Sequence, residues 1–196
     1  MDDLELFTEE VAALNGDQPV FPAREVVDRP GDPERWFPGW PGPVLLLSVE
    51  NQGVCAWGVP LDDPAPPVLV GGPAGATRVF SPDVASFVEF RRWAASCEWE
   101  FAAQADELDE VTLSHLRRRY RERPGPRGWP GRATFRFEGA DVRIMLWDAP
   151  GQCDWFVAGA GEAELLNLLP FADLRTSLYA YDASGAAVLA RVRGRG

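Results

Sequence analysis

The chain has 196 residues, 46% of them hydrophobic and 25% charged, which suits one sizeable core and a single domain spanning 1–196. All 19 basic residues are arginine, so a Walker phosphate loop, a Schiff-base or pyridoxal lysine and a protein-kinase site are excluded. The net charge of −11 opposes nucleic acid, which needs a basic stripe to release counterions, and favours the approach of a basic protein.

Residues 1–42 form a divergent, proline-rich N-terminal part. Residues 1–34 hold ten acids and two bases. Phe7, Val11 and Leu14 recur at helical spacing within 4–14, and Asn15-Gly16 ends that helix. Arg29–Pro43 contains five prolines with Trp36 and Trp40, a rigid aromatic connection. The start, Met1-Asp2-Asp3-Leu4-Glu5, has neither the basic nor the apolar region of a signal peptide, and no apolar run approaches the ~20 residues of a membrane span. The expectation is a cytoplasmic protein without membrane contact. Cys55, Cys97 and Cys153 are odd in number and scattered, as suits reduced core thiols.

The region 43–123 reads as strands and then helices. Strands at about 43–50, 53–60 and 66–71 make an antiparallel meander. The turn Glu50-Asn51-Gln52-Gly53 supplies residues that tolerate a positive φ. Trp57 is expected to be buried beneath the helix next in the chain. Gly71-Gly72-Pro73-Ala74-Gly75 lacks the G-K-[ST] ending of a phosphate loop and reads as a turn. Ser81-Pro82 caps a helix that carries Phe87, Phe90, Ala94, Cys97 and Phe101 on one face, out to about 103. A second helix, about 106–122, has an acidic head and an arginine tail, complementing the helix dipole.

Pro124–Gly131 breaks the chain, and 132–193 is a second strand group with one helix. Strands fall near 133–138, 142–148 and 153–158 and a helix near 161–169. A hairpin at 177–182 and 186–192 turns on Ala183-Ser184-Gly185. The fold class is α+β, an antiparallel sheet meander with packed helices.

Chemistry is sparse. The one histidine, His115, sits on a charged helix without partner ligands at metal spacing and without a nucleophile elbow to serve. Cys55 and Cys97 read as small core residues. Asp62-Asp63, adjacent on a loop, suit a turn better than shared acid–base work. The arginines of 117–123 suit a solvated helix end better than a nucleic-acid site. No catalytic residue, cofactor site or metal site is assigned, and the chain is expected not to be an enzyme. One group suits a protein contact: Glu98, Trp99, Glu100, Asp106, Glu107, Asp109 and Glu110, acids with no base between them and a tryptophan as hydrophobic anchor. The plain alternative for such a run is a solvated face.

The string Glu50-Asn51-Gln52-Gly53-Val54-Cys55-Ala56-Trp57-Gly58-Val59, with the proline-bounded Pro66–Val70 after it, resembles the SUKH superfamily of bacterial immunity proteins. Ser86-Phe87-Val88-Glu89-Phe90, Trp129-Pro130, Trp155-Phe156-Val157 and Glu164-Leu165-Leu166 extend that resemblance in order over roughly 40–170. Family members open with longer helices than 1–42 supplies. The resemblance implies an α+β domain without catalytic residues that neutralises a cognate toxin by direct contact, here a basic toxin domain, as monomer or weak homo-oligomer. A regulatory or scaffold domain of the same fold is the alternative, and an enzyme with an unrecognised cleft a distant one.

Overall fold

The computed structural model describes residues 36–50, 53–72, 75–129, 132–168 and 177–194; the helix expected at 4–14 and Asn51 and Gln52 lie outside the described residues. Two compact units divide the chain at Ala95–Ser96, and Pro126–Pro130 returns to the first. Antiparallel sheets with packed helices make the fold class α+β.

The first unit holds β1 (Val44–Val49), β2 (Ala56–Pro60), β3 (Val68–Gly72) and β4 (Gly75–Ser81), paired antiparallel in that order. Gly53 turns β1 towards β2 at φ +70°, and its N–H donates to the Glu50 carbonyl at 2.8 Å. The expected Gly71–Gly75 turn is shorter, since Gly72 pairs with Gly75. The fourth strand, β4, is one the sequence did not announce. Its first five residues are exposed or half-buried, so it carries no alternation to read.

Helix α1 (Val84–Ala95) starts two residues later than expected. Ser81 stays in β4, and Asp83 caps instead, its Oδ1 accepting from the Ser86 N–H at 2.7 Å. The helix also stops well before 103. Phe101 begins a strand, and the four-residue step from Cys97 to Phe101 satisfies a period of two as well as 3.6. Cys97 therefore lies beyond α1, not on its apolar face.

β2 and β3 are buried at every position. On one face Trp57 meets Phe80 edge-on at 5.9 Å; Phe80 meets Phe87 and Phe90 of α1 at 5.9 Å each, and Arg91 lies over Trp57 at 5.8 Å. Trp57 is thus buried beneath the helix, as expected. On the other face lies the stretch whose prolines suggest only a connection. A Cβ on Gly71 would fall 2.2 Å from the Trp36 carbonyl oxygen, and one on Gly58 would fall 2.6 Å from the Phe37 ring. Thr77 Oγ1 donates to the Pro38 carbonyl at 3.0 Å. Glycine makes this approach of aromatic backbone to sheet possible.

The second unit contains β5 (Phe101–Ala105), α2 (Glu110–Arg119) and β6 (Arg121–Arg123). β7 (Arg127–Trp129) belongs to the first unit and adjoins β4. The second unit resumes with β8 (Arg132–Glu138), β9 (Arg143–Ala149), β10 (Gln152–Ala158), α3 (Glu162–Leu168), β11 (Tyr179–Ala180) and α4 (Ala183–Arg193). The strands lie in the order β11-β5-β10-β9-β8-β6, all antiparallel. β8, β9, β10 and α3 fall where the sequence places them, and α2 is shorter than 106–122. The core stacks Phe101, Ala103, Ile144, Leu146, Trp155 and Val157 of the sheet against Leu113 and Leu116 of α2, Leu165 of α3 and Leu189 of α4.

The expected second strand at 186–192 is instead α4. Asp182 caps it, Oδ1 accepting from the Gly185 N–H at 2.7 Å, while Gly185, Leu189 and Val192 point inward at helical spacing. Arg193, in its last turn, donates from Nη2 to the Leu178 carbonyl at 2.5 Å.

Candidate functional site

β5 sets the geometry of the candidate partner-binding residues. It runs antiparallel to β10, with Phe101 opposite Val157 and Ala105 opposite Cys153. Five residues at ~3.3 Å each separate its ends by about 17 Å. Glu98, Trp99 and Glu100 therefore sit at one end of the strand, and Asp106, Glu107, Asp109 and Glu110 at the other. The single patch expected from the sequence is two.

At the 106–110 end the acids fix loops. Glu107 Oε2 accepts from the Gly151 N–H in the β9–β10 turn at 3.3 Å, and Asp148 Oδ1 accepts from the Leu108 N–H at 3.0 Å. Asp109 Oδ1 accepts from the Thr112 N–H at 2.6 Å; that bond holds its carboxyl below the ordinary range and caps α2. Asp106, Glu107, Asp109 and Glu110 are all exposed, and among the described residues none forms an ion pair.

At the 98–100 end Glu98 is exposed. The Glu100 carboxylate accepts from the Gly159 N–H at 3.1 Å, and its carbonyl accepts from the Tyr181 N–H at 2.9 Å. Trp99 is half-buried, its ring edge-on to Phe156 at 6.1 Å, and Phe156 in turn meets Trp147 at 5.0 Å. As an anchor beside Glu107 and Glu110, Trp99 is a strand's length too far.

The arginines behave differently. Arg117 pairs with Glu122 at 2.8 Å, Arg119 with Glu164 at 3.0 Å, and Arg123 with Glu138 at 3.7 Å. Tyr120 joins the second pair, donating to Glu164 Oε1 at 2.7 Å. Burial first, and that hydrogen bond second, push the Tyr120 hydroxyl up to about 12, while the Arg119 guanidinium holds Glu164 below the usual carboxylate range. Three of the five arginines at this helix end are thus paired within the fold, while Arg118 and Arg121 are exposed and, like the acids at its start, hold no ion pair among the described residues.

The remaining candidates have structural surroundings. Cys55, Cys97 and Cys153 are free and buried. Burial pushes the Cys55 thiol up to about 12 with help from Glu50, and Cys153 likewise with help from Asp148 and Asp154, so neither supplies a thiolate at neutral pH. His115 is half-buried on α2. Asp63 accepts from the Ala65 N–H at 2.9 Å, the turn role expected of it. Among the described residues no group of three or more His, Cys, Asp or Glu side chains could hold a metal ion, and no helix is long and apolar enough to cross a membrane. A depression in the first unit, lined by Phe37, Pro38, Trp40, Pro41 and Val44, offers no titratable side chain.

One feature went unread in the sequence. Tyr179 and Tyr181 are 50% and 54% exposed and meet edge-on at 5.5 Å. Their signal was the alternation of tyrosines along a strand, which shows in the sequence, but exposure does not. Compared with family models, curated proteins and solved structures, the chain matches none.

Proposed function

We propose that this protein is a non-enzymatic binding domain for a basic protein, acting in the cytoplasm as an immunity protein that blocks a toxin by direct contact. The observation that carries the reading is the uncompensated charge at the start of α2. Asp106, Glu107, Asp109 and Glu110 hold no ion pair among the described residues, while backbone N–H groups pin Glu107 and Asp109 in place. Fixed, exposed, like-signed charges raise the encounter rate with a cation and need no rearrangement on contact. The resemblance of the Glu50–Val59 hairpin to SUKH immunity proteins supports the toxin as the class of partner.

The test is capture of the partner on the tagged full chain from its host, identification by mass spectrometry, and association kinetics against salt. The association rate should fall steeply as ionic strength rises. Glu107→Arg with Glu110→Arg should slow association about tenfold or more and change dissociation less. A captured partner that is acidic, or whose association ignores salt, would defeat the electrostatic account. A basic partner whose expression harms no cell would move the reading to a regulatory domain of the same fold.

A further inference from the structure

Two tyrosines stand exposed on a strand of the second sheet, and register places Glu100 on the same face as both. Among the described residues β11 is an edge strand, paired with β5 alone: Tyr179 lies opposite Ala102 and Ala180 opposite Phe101. The Tyr181 N–H to Glu100 carbonyl bond continues that ladder by one residue, so Tyr179, Tyr181 and Glu100 share one face of the sheet. The Glu100 carboxylate is held by the Gly159 N–H at 3.1 Å. Asp182, next in the chain, has Oδ1 held by the Gly185 N–H at 2.7 Å and the Ser184 hydroxyl at 2.8 Å. Those bonds keep Asp182 ionised, below the ordinary carboxyl range. Neither carboxylate forms an ion pair among the described residues, and Glu98 stands exposed two residues before Glu100.

We infer that Tyr179 and Tyr181, with Glu98 and Glu100, form a docking patch for an arginine-bearing segment of a basic protein. The chemistry fits a guanidinium. Its flat face stacks on an aromatic ring and its N–H groups bond carboxylates in the guanidinium plane, which lysine does less well. Tyrosine at such a centre supplies contact area with few rotatable bonds to freeze. The 106–110 end, by contrast, has acids and, among the described residues, no exposed aromatic ring beside them; it attracts at a distance, and the β11 edge makes the contact. This inference rests on the basic-partner reading above and assigns the contact surface within it.

The probe is a nona-arginine peptide, titrated into the isotope-labelled full chain at low ionic strength. Amide shifts should concentrate at Glu98–Phe101 and Leu178–Asp182. Tyr179→Ala with Tyr181→Ala should weaken the Kd about tenfold without moving the melting temperature, and Tyr179→Phe with Tyr181→Phe should restore most of the affinity, since the ring and not the hydroxyl binds the cation. A nona-lysine peptide should bind more weakly than nona-arginine. Shifts confined to 106–110, with an unaltered Kd in the double alanine variant, would overturn the patch and leave the basic-partner reading standing. Absence of binding by either cationic peptide would overturn both.

Discussion

In the first unit β2 and β3 are buried along their whole length, with an aromatic cluster on one face and the Trp36–Phe37 backbone on the other. In the second unit β10 alternates half-buried and buried positions from Gln152 to Val157, and arginine–carboxylate pairs tie helices and strands. Packing of the first kind fails when shape changes; the second kind also fails when charge changes. Among the described residues the carboxylates of lowered pKa, Asp109, Glu164 and Asp182, all lie in the second unit.

The largest expected effect is in the first unit. Trp57→Ala removes the ring on which Phe80 and Arg91 rest and should cost ~3–5 kcal/mol in urea unfolding, out of a typical total of ~5–15 kcal/mol. A melt unchanged by that substitution would show that the aromatic cluster does not support this unit. Next comes Gly71→Ala. One methyl group would collide with the Trp36 carbonyl oxygen, and a loss of ~1–3 kcal/mol is expected, where an exposed glycine such as Gly75 should tolerate alanine freely. Equal stability of the two alanine variants would dissolve the contrast.

The smallest effect sharpens the other side. Glu164, Asp109 and Asp182 have carboxyls lowered by Arg119, by the Thr112 N–H and by the Gly185 N–H respectively. Their stabilisation is present above the ordinary carboxyl pKa of ~4 and is lost as pH falls through the lowered values. Glu164→Gln should cost less than ~1 kcal/mol at neutral pH and flatten the acid limb of the stability curve. In alkali the sign reverses. Cys55, Cys153 and Tyr120 are raised to about 12, so their contribution is complete below the unfolded pKa and disappears as pH climbs to the folded one. Alkali should therefore weaken both units, and acid below pH ~4 should act on the second through these three carboxylates. Hydrogen exchange resolved by residue would detect any departure from that pattern.

β10 was legible because buried and half-buried residues alternate along it, β8 and β9 because apolar runs end at Gly139 and Gly151, and the β1–β2 turn because Gly53 stands between two apolar runs. The misreadings share one cause. Cys97 to Phe101, and the apolar residues of 186–192, fit periods of two and of nearly four alike, and only a cap distinguishes them. Asp182 is that cap for 186–192, and it lies where the serine and glycine of Ala183-Ser184-Gly185 drew attention first; Cys97–Phe101, at the far end of its helix, has no such mark. β4 could not be read because its exposed half carries no pattern. For the candidate site, the acidic residues were plain but their separation was not. Glu98–Glu100 and Asp106–Glu110 are close in sequence because they bracket β5, and a strand holds its ends apart.

The bond from Arg193 to the Leu178 carbonyl has a consequence for self-association. The Leu178 backbone precedes the edge strand β11, where an open carbonyl invites a second chain to add a strand. With a guanidinium from α4 seated on it, that acceptor is occupied by the molecule's own last helix. Arg193→Ala would thus free that acceptor while leaving the core residues of α4 in place, offering a neighbouring copy one point at which to pair.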